Sequence, residues 1–450
     1  MNNDTNIQRV PKRILNTLLA SLAAGVVPRS GAPYIAIGRR DEINALLSDL
    51  EQVNEGGGTM RFVIGRYGSG KSFLMQLIRG YALERDFLTA DADLSPERRL
   101  YGTGGSGVAT YRELIKNLAS KSSPDGGALP KIIARWIDVL KTELLSEGIS
   151  PDCSEFAIRL NAKVAEKLGE IEFMVGGFDF ARVISEYYRA ITENDDDKKR
   201  ACLCWLRGEF TTKTEARQSL GFGVSVIIDD DNWYDFIKLW AVLARFMGYR
   251  GLIVFIDECV NLYKINHRVS RENNYEKILS MFNDTLQGRA PGLGLVMGGT
   301  PQFMDDTRRG LFSYEALRSR LGDSRFYSER FNNFIGPVIR LKRLSDDELF
   351  ALISRISKLY AQNYGCGEVI TEEQMVRFLE ISLSRAGADN MVTPREMIRD
   401  YMTVLNILIQ NPTASFEEVV GLSVSGEDIS TVEAKQEKRA GSYTAEDIEF

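Results

Sequence analysis

The residues with the most chemistry in them form one run: Gly65-Arg66-Tyr67-Gly68-Ser69-Gly70-Lys71-Ser72, followed by Phe73. The run fits G-x-x-x-x-G-K-[ST] without a departure. Glycines at these positions let successive backbone N–H groups turn inward around phosphate oxygens, and a helix starting at the lysine adds the favourable end of its dipole. Lys71 is then expected to reach the β- and γ-phosphates and Ser72 Oγ to ligate magnesium, which makes ATP and Mg²⁺ the expected ligands. The competing explanation is a chance glycine-rich turn, against which the flanking pattern of strand before and helix after argues.

Asp257 and Glu258 end the apolar run Gly251-Leu252-Ile253-Val254-Phe255-Ile256. In a doubly wound sheet the carboxyl ends of the strands open onto the ligand crevice. Asp257 is expected to hold the metal through water, and Glu258 to orient and polarise the water that attacks the γ-phosphorus. A plain alternative is an acidic first helical turn. Thr300, after the apolar residues 294–299, reads two ways: a hydroxyl that senses the γ-phosphate or the lytic water, or a helix N-cap with Pro301 in the first turn. Arg318, Arg320, Arg325 and Arg330 crowd together downstream. One of them, Arg320 first, is a candidate finger acting on a neighbour's ATP; the alternative is ordinary surface ion pairing.

Such side chains need a sheet to hold them. Thr59-Met60-Arg61-Phe62-Val63-Ile64 reads as a short buried strand leading into the glycine loop, and a helix over 73–83 follows. Residues 87–94 read as a second strand, and 251–256 and 294–299 as buried strands of a parallel sheet. The expected fold class is therefore α/β, with a P-loop core. Residues 90–248 are mostly helical by three-and-four periodicity, with helices over 132–145, 154–168, 178–194 and 233–247, so a large helical insertion is expected over about 100–230 of a core spanning 31–340. An amphipathic helix occupies the N-terminal segment 1–30. Helices from Ser345, from Thr371 and over 393–408 make a smaller unit at 341–410, and the acidic tail 411–450 is expected to be flexible.

The chain has 450 residues, 44% of them hydrophobic and 26% charged, which suits a soluble protein of two or three packed units. With no long apolar stretch, neither a membrane span nor a signal peptide is expected, and the cytoplasm is the expected compartment. The net charge of −6 argues against nucleic-acid binding by bulk neutralisation, though not against a local basic face. Cys153, Cys202, Cys204, Cys259 and Cys366 are scattered and odd in number, and His267 is the only histidine. Reduced, buried thiols are expected rather than a zinc site. No N-K-x-D base-reading motif occurs, which argues against a GTPase.

With this loop, Asp257-Glu258 and a C-terminal helical unit, the chain resembles AAA+ ATPases, and among them the origin-recognition initiator branch. Ile37-Gly38-Arg39-Arg40-Asp41-Glu42-Ile43 is similar to that branch's G-R-x-x-E box, which implies that Gly38 and Arg39 lie beside the adenine. Thr393-Pro394-Arg395-Glu396 resembles its sensor-2 motif, which implies that Arg395 comes from a helical lid to the γ-phosphate; the Thr300 strand matches sensor 1. The layout over about 10–410, with Gly25-Val26-Val27-Pro28, Gly299-Thr300-Pro301 and Tyr314-Glu315-Ala316-Leu317-Arg318-Ser319-Arg320-Leu321, looks like the BrxD family of BREX-associated ATP-binding proteins. That resemblance implies anti-phage defence, oligomerisation and work alongside other BREX subunits. The residues after Asn411 are too few and too acidic for the initiators' winged helix, so any DNA contact is expected from the insertion, the core or a partner. The function expected is ATP hydrolysis that assembles or remodels a defence complex. A non-hydrolysing nucleotide-gated scaffold and a P-loop kinase are the alternatives.

Overall fold

The computed structural model describes residues 10–151, 154–322, 333–385 and 393–422. Arg39–Lys342 form one compact unit, and the residues up to Gly38 join those from Arg343 onward in the other. In chain order the first elements are α1 (Lys12–Ala23), α2 (Arg40–Asn54), β1 (Thr59–Ile64), α3 (Lys71–Glu84) and β2 (Leu88–Asp93). A helical stretch follows: α4 (Ser106–Lys116), α5 (Leu129–Ser146), α6 (Ser154–Gly169), α7 (Gly177–Glu193), α8 (Asp196–Leu206), α9 (Lys213–Leu220) and α10 (Trp233–Phe246). The chain then returns to the sheet through β3 (Leu252–Asp257), α11 (Val260–Tyr263), α12 (Arg268–Leu286), β4 (Leu293–Gly299), α13 (Pro301–Asp305), α14 (Glu315–Leu321) and β5 (Val338–Arg340). Last come α15 (Asp346–Tyr364), α16 (Glu372–Arg385), α17 (Pro394–Gln410) and α18 (Phe416–Leu422).

The five strands pair in the order β2-β3-β4-β1-β5, and every pairing is parallel. The expected α/β class with a parallel sheet is thus what the larger unit has. Alternation along the strands splits the core between the two faces. Met60, Phe62 and Ile64 of β1 join one cluster, whereas Val63 packs with Leu46 and Leu50 of α2 and with Leu74 and Ile78 of α3. The first cluster continues without a break into the helical insertion, where Trp136, Trp205, Trp233 and Trp240 are all buried. Phe180 stacks edge-on against Trp240 with centroids 4.9 Å apart, and Trp205 does the same against Phe236 at 5.5 Å. Aromatic side chains of this size bury enough apolar area to make the insertion part of the core.

In the other unit, α1 packs on α15 and α17. It buries Leu15, Leu18, Leu19 and Leu22, the helical stripe expected of it, each contributing about 1.5–3 kcal/mol of transfer free energy. Ser345 and Glu348 form a capping box that starts α15, and Thr393 and Glu396 form another that starts α17. Of the expected acidic tail, residues 411–422 lead into and form α18, with Phe416 and Val420 buried; residues 423–450 lie outside the described residues. So do Cys153, Arg325 and Arg330. No helix among the described residues is long and apolar enough to cross a membrane.

Candidate functional site

The register of the sheet decides which side chains meet. Ile64 of β1 lies opposite Gly299 of β4 and Arg340 of β5, and Asp93 of β2 lies opposite Asp257 of β3. With Ile256 of β3 opposite Met297 of β4, the carboxyl ends of all five strands lie close to level, and the phosphate loop, Asp93, Asp257 and Thr300 all emerge along one edge. The loop leaves a strand held on both flanks: Gly65 N–H donates to Gly299 O at 3.1 Å, and Leu341 N–H donates to Ile64 O at 2.8 Å.

Gly68 and Gly70 take φ of +72° and +94°, the left-handed region that a Cβ disfavours. A Cβ on Gly70 would meet nothing within 4 Å, so this side of the loop opens outward. A Cβ on Gly65 would instead collide with Ser69 Oγ. Among the described residues the amides of Tyr67, Gly68 and Gly70 donate to no acceptor, and Ser69 Oγ is buried without a hydrogen-bond partner. Gly70 caps α3 without any side-chain capping bond. Amides without an acceptor, an orphaned hydroxyl and an uncapped helix start are groups that phosphate oxygens satisfy, so these residues fit a nucleotide's phosphates.

Lys71 opens α3, its Nζ donating to Arg66 O at 3.1 Å and lying 5.5 Å from the centroid of the exposed Tyr67 ring. Partial burial, and after it the carboxylates of Glu258 and Asp257, push the Tyr67 phenol above its usual range. Phe73, in the first turn of α3, is half-buried. Arg39 supports the loop from beneath. Its guanidinium is buried and donates to Ser69 O at 3.1 Å, Lys342 O at 2.7 Å and Glu42 Oε1 at 3.2 Å. Through the two carbonyl bonds, Arg39 ties the phosphate loop to the residues after β5.

Ser72 Oγ donates to Asp257 Oδ2 at 2.6 Å, bringing together two residues 185 positions apart, the pair expected to hold the metal. The other carboxylate oxygen accepts the Glu258 N–H at 2.8 Å. Gly298 on the neighbouring strand makes room for this carboxylate: a Cβ there would collide with Asp257 Oδ1 and lie 2.9 Å from Met75 Sδ. Gly298→Ala is accordingly expected to displace Asp257 and lower nucleotide affinity about tenfold with magnesium present, leaving affinity in EDTA unchanged. Titration of a fluorescent ATP analogue in the two buffers checks this.

Glu258 takes φ +57°, one of three non-glycine residues in the left-handed region among those described. That conformation costs on the order of 1–2 kcal/mol in a residue bearing a Cβ. Its amide bond to Asp257 and the Cys259 N–H donated to Gly298 O at 3.0 Å hold it there. Among the described residues the Glu258 carboxylate makes no hydrogen bond or ion pair. Burial, then the charges of Asp257, Glu258 and Asp91, raise the Asp93 carboxyl above its ordinary range, with Arg98 opposing. Asp93 is a third acid at this edge that sequence reasoning missed; its one signal was its place at the end of the second strand.

Thr300 is buried and caps α13, its Oγ1 accepting Phe303 N–H at 3.3 Å, with Pro301 in the first turn. The capping alternative therefore describes its geometry, and its position directly after Gly299 keeps it beside the phosphate loop's strand. Arg318 and Arg320 lie exposed on α14, where Arg320 donates to Ala316 O of its own helix at 2.8 Å. In the smaller unit, Gly38 has φ +72°, and a Cβ there would press on Leu344 and Glu348 at 2.7 Å. Arg395 is exposed at the start of α17, its stem beside Gly25. Cys202 is buried in the insertion core, and burial pushes its thiol up to about 12.

A search of curated proteins finds no match. The model of one family, described as BREX system ATP-binding protein BrxC/D, matches residues 10–424, a span that takes in the phosphate loop and every described strand. The chain belongs to the BREX system ATP-binding protein BrxC/D family.

Proposed function

We propose that the chain is an AAA+ ATPase of the BrxD type, which hydrolyses ATP in the cytoplasm to assemble or remodel an anti-phage BREX complex on DNA, as part of an oligomer with other BREX subunits. The observation that supports hydrolysis, beyond ATP binding, is the 2.6 Å bond between Ser72 Oγ and Asp257 Oδ2, with the Glu258 carboxylate on the next residue unpaired among the described residues. Ser72 and Asp257 would hold Mg²⁺, which when bound neutralises charge developing on the β- and γ-phosphates. Lys71 and the loop amides bind and orient the phosphates. Glu258 accepts a proton from a water and aligns it for attack, a task that suits a carboxylate with no competing partner. Thr300, at the end of β4, is assigned the γ-phosphate hydrogen bond, and Arg395 and Arg320 are assigned the sensor and finger roles that the family resemblance implies. Gly38 and Arg39 keep their place at the base-binding end of the site on the same ground.

Purified chain given MgATP, duplex DNA and the other BREX subunits is expected to release phosphate steadily, and EDTA to stop the release. Binding without release under all these conditions would replace hydrolysis by a nucleotide-gated scaffold.

A further inference from the structure

Beyond the nucleotide site, the helical insertion carries a half-open cavity of about 570 Å³ in which α4 faces the turn after α8 and the start of α5. Four cations line it, Arg98, Arg112, Lys116 and Arg207, against two carboxylates, Glu113 and Glu209. This excess of positive charge stands in a chain whose net charge is −6. Arg112 and Lys116 are one helical turn apart on α4 and so share a face. The ion pairs around the cavity are long: Arg98–Glu113 is 3.7 Å, Lys116–Glu113 is 3.5 Å and Arg207–Glu209 is 3.9 Å. They fall at or beyond the reach of a good hydrogen bond, so these cations keep N–H donors that the carboxylates do not take up.

Arg112 has no carboxylate partner among the described residues. Its Nε–H donates to Gly208 O at 2.7 Å, which fixes the plane of the guanidinium and leaves its outer donors to the cavity. Gly208 itself takes the left-handed φ of +70°, and a Cβ there would lie 3.2 Å from Val108 and 3.3 Å from Tyr111, so the backbone that orients Arg112 packs closely against α4. A planar fork of donors, pre-oriented and unneutralised, is what binds a tetrahedral oxyanion with two parallel hydrogen bonds. Among the described residues no aromatic side chain lines the cavity, so none of them offers a platform for stacking a base.

We propose that this cavity is a second anion site, which takes a phosphate group on Arg112 and Arg207 independently of the nucleotide bound at the P-loop. The phosphate belongs either to a nucleic-acid strand or to a small phosphorylated compound, and the chemistry of recognition is the same. Arg98 links the site to the catalytic edge, because its Nε–H donates to Asp93 O at 3.0 Å and Asp93 is the strand partner of Asp257.

The test uses the full chain carrying Lys71→Ala, which weakens the P-loop's own hold on phosphates, and the arginine substitutions then separate any binding left at that loop from binding in the cavity. Inorganic tripolyphosphate, titrated by calorimetry at low salt, is expected to bind saturably. Arg112→Gln in the same background is expected to weaken that binding about tenfold or more. Arg207→Gln, a change at a side chain 39% exposed and outside the packed core, is expected to weaken it in the same direction. Displacement by a short oligothymidylate assigns the phosphate to a nucleic-acid strand, and displacement by AMP to a free phosphorylated compound. Absence of saturable binding in the Lys71→Ala chain, or binding that neither arginine substitution changes, overturns the proposal.

Discussion

With Glu258 replaced by Gln, the chain is expected to keep ATP bound while steady-state phosphate release falls about a hundredfold or more. The substitution keeps the length and shape of the side chain and removes only its charge and basicity. Neither the Ser72–Asp257 bond nor the amide bond that anchors residue 258 to Asp257 involves the Glu258 carboxylate, so both should survive. The left-handed backbone at this position is set by amide contacts, and Gln tolerates it no worse than Glu. On the proposed role, what the variant loses is the proton acceptor for the attacking water, a contribution made to the transition state and not to binding of the ground state. Filter retention of labelled ATP should therefore be undiminished while release stalls. Release by the Gln variant at the parent's rate would remove Glu258 from the reaction and shift the search for the base to Asp93.

How much of this was legible in the sequence depended on whether the relevant pairings were local. The strand–loop–helix unit from β1 through α3 could be read directly, because its glycines, lysine and serine lie within one turn of chain and its flanking apolar pattern is short and clean. The insertion helices α5, α6, α7 and α10 were readable from their stripes. In contrast, α12 escaped: it buries Arg271, Asn274 and Asp284 among its apolar residues, so no continuous apolar face marks it. Asn274 explains why such polarity is tolerated, since its side chain accepts from the Leu100 and Tyr101 amides and donates to Tyr101 O and Ser270 O. The edge strand β5 escaped because it has three residues, too few for an alternation to show.

The same distinction runs through the site. Lys71, Ser72, Asp257 and Glu258 could be named as candidates from motif and strand end. The closeness of Ser72 to Asp257, the clearance that Gly298 gives and the level of Asp93 all follow from which strands are neighbours. That information lies in pairings between β2 and β3 and between β3 and β4, which no local pattern carries. Arg39 is a mixed case. The resemblance brought it to the site, while the hydrogen bonds to Ser69 O and Lys342 O give it a further task that only long-range contacts could reveal.

Lys71→Ala is expected to weaken ATP binding by about a hundredfold or more, since the charge-assisted hydrogen bonds proposed for it to two phosphates would be lost at once, each worth about 1.5–3 kcal/mol. The fold should survive the change, and the reason is specific to where the lysine stands. Lys71 is the first residue of α3, and a cation at a helix N-terminus opposes the dipole by about 0.3–1 kcal/mol. The bond of its Nζ to Arg66 O and its place near the exposed Tyr67 ring offset that cost with interactions of similar small size. Removing the ammonium takes away these contributions of opposite sign, and alanine is the better helix former, so the nucleotide-free chain is expected to stay folded. The ligand-induced shift should vanish, because stabilisation by a ligand grows with the ratio of its concentration to its dissociation constant. Thermal unfolding of both chains with and without MgATP separates the two effects. An unaltered shift in the Ala variant would mean that the loop amides hold the nucleotide without the lysine. A large fall in the melting temperature of the nucleotide-free chain would mean that Lys71 is chiefly a structural residue of the loop.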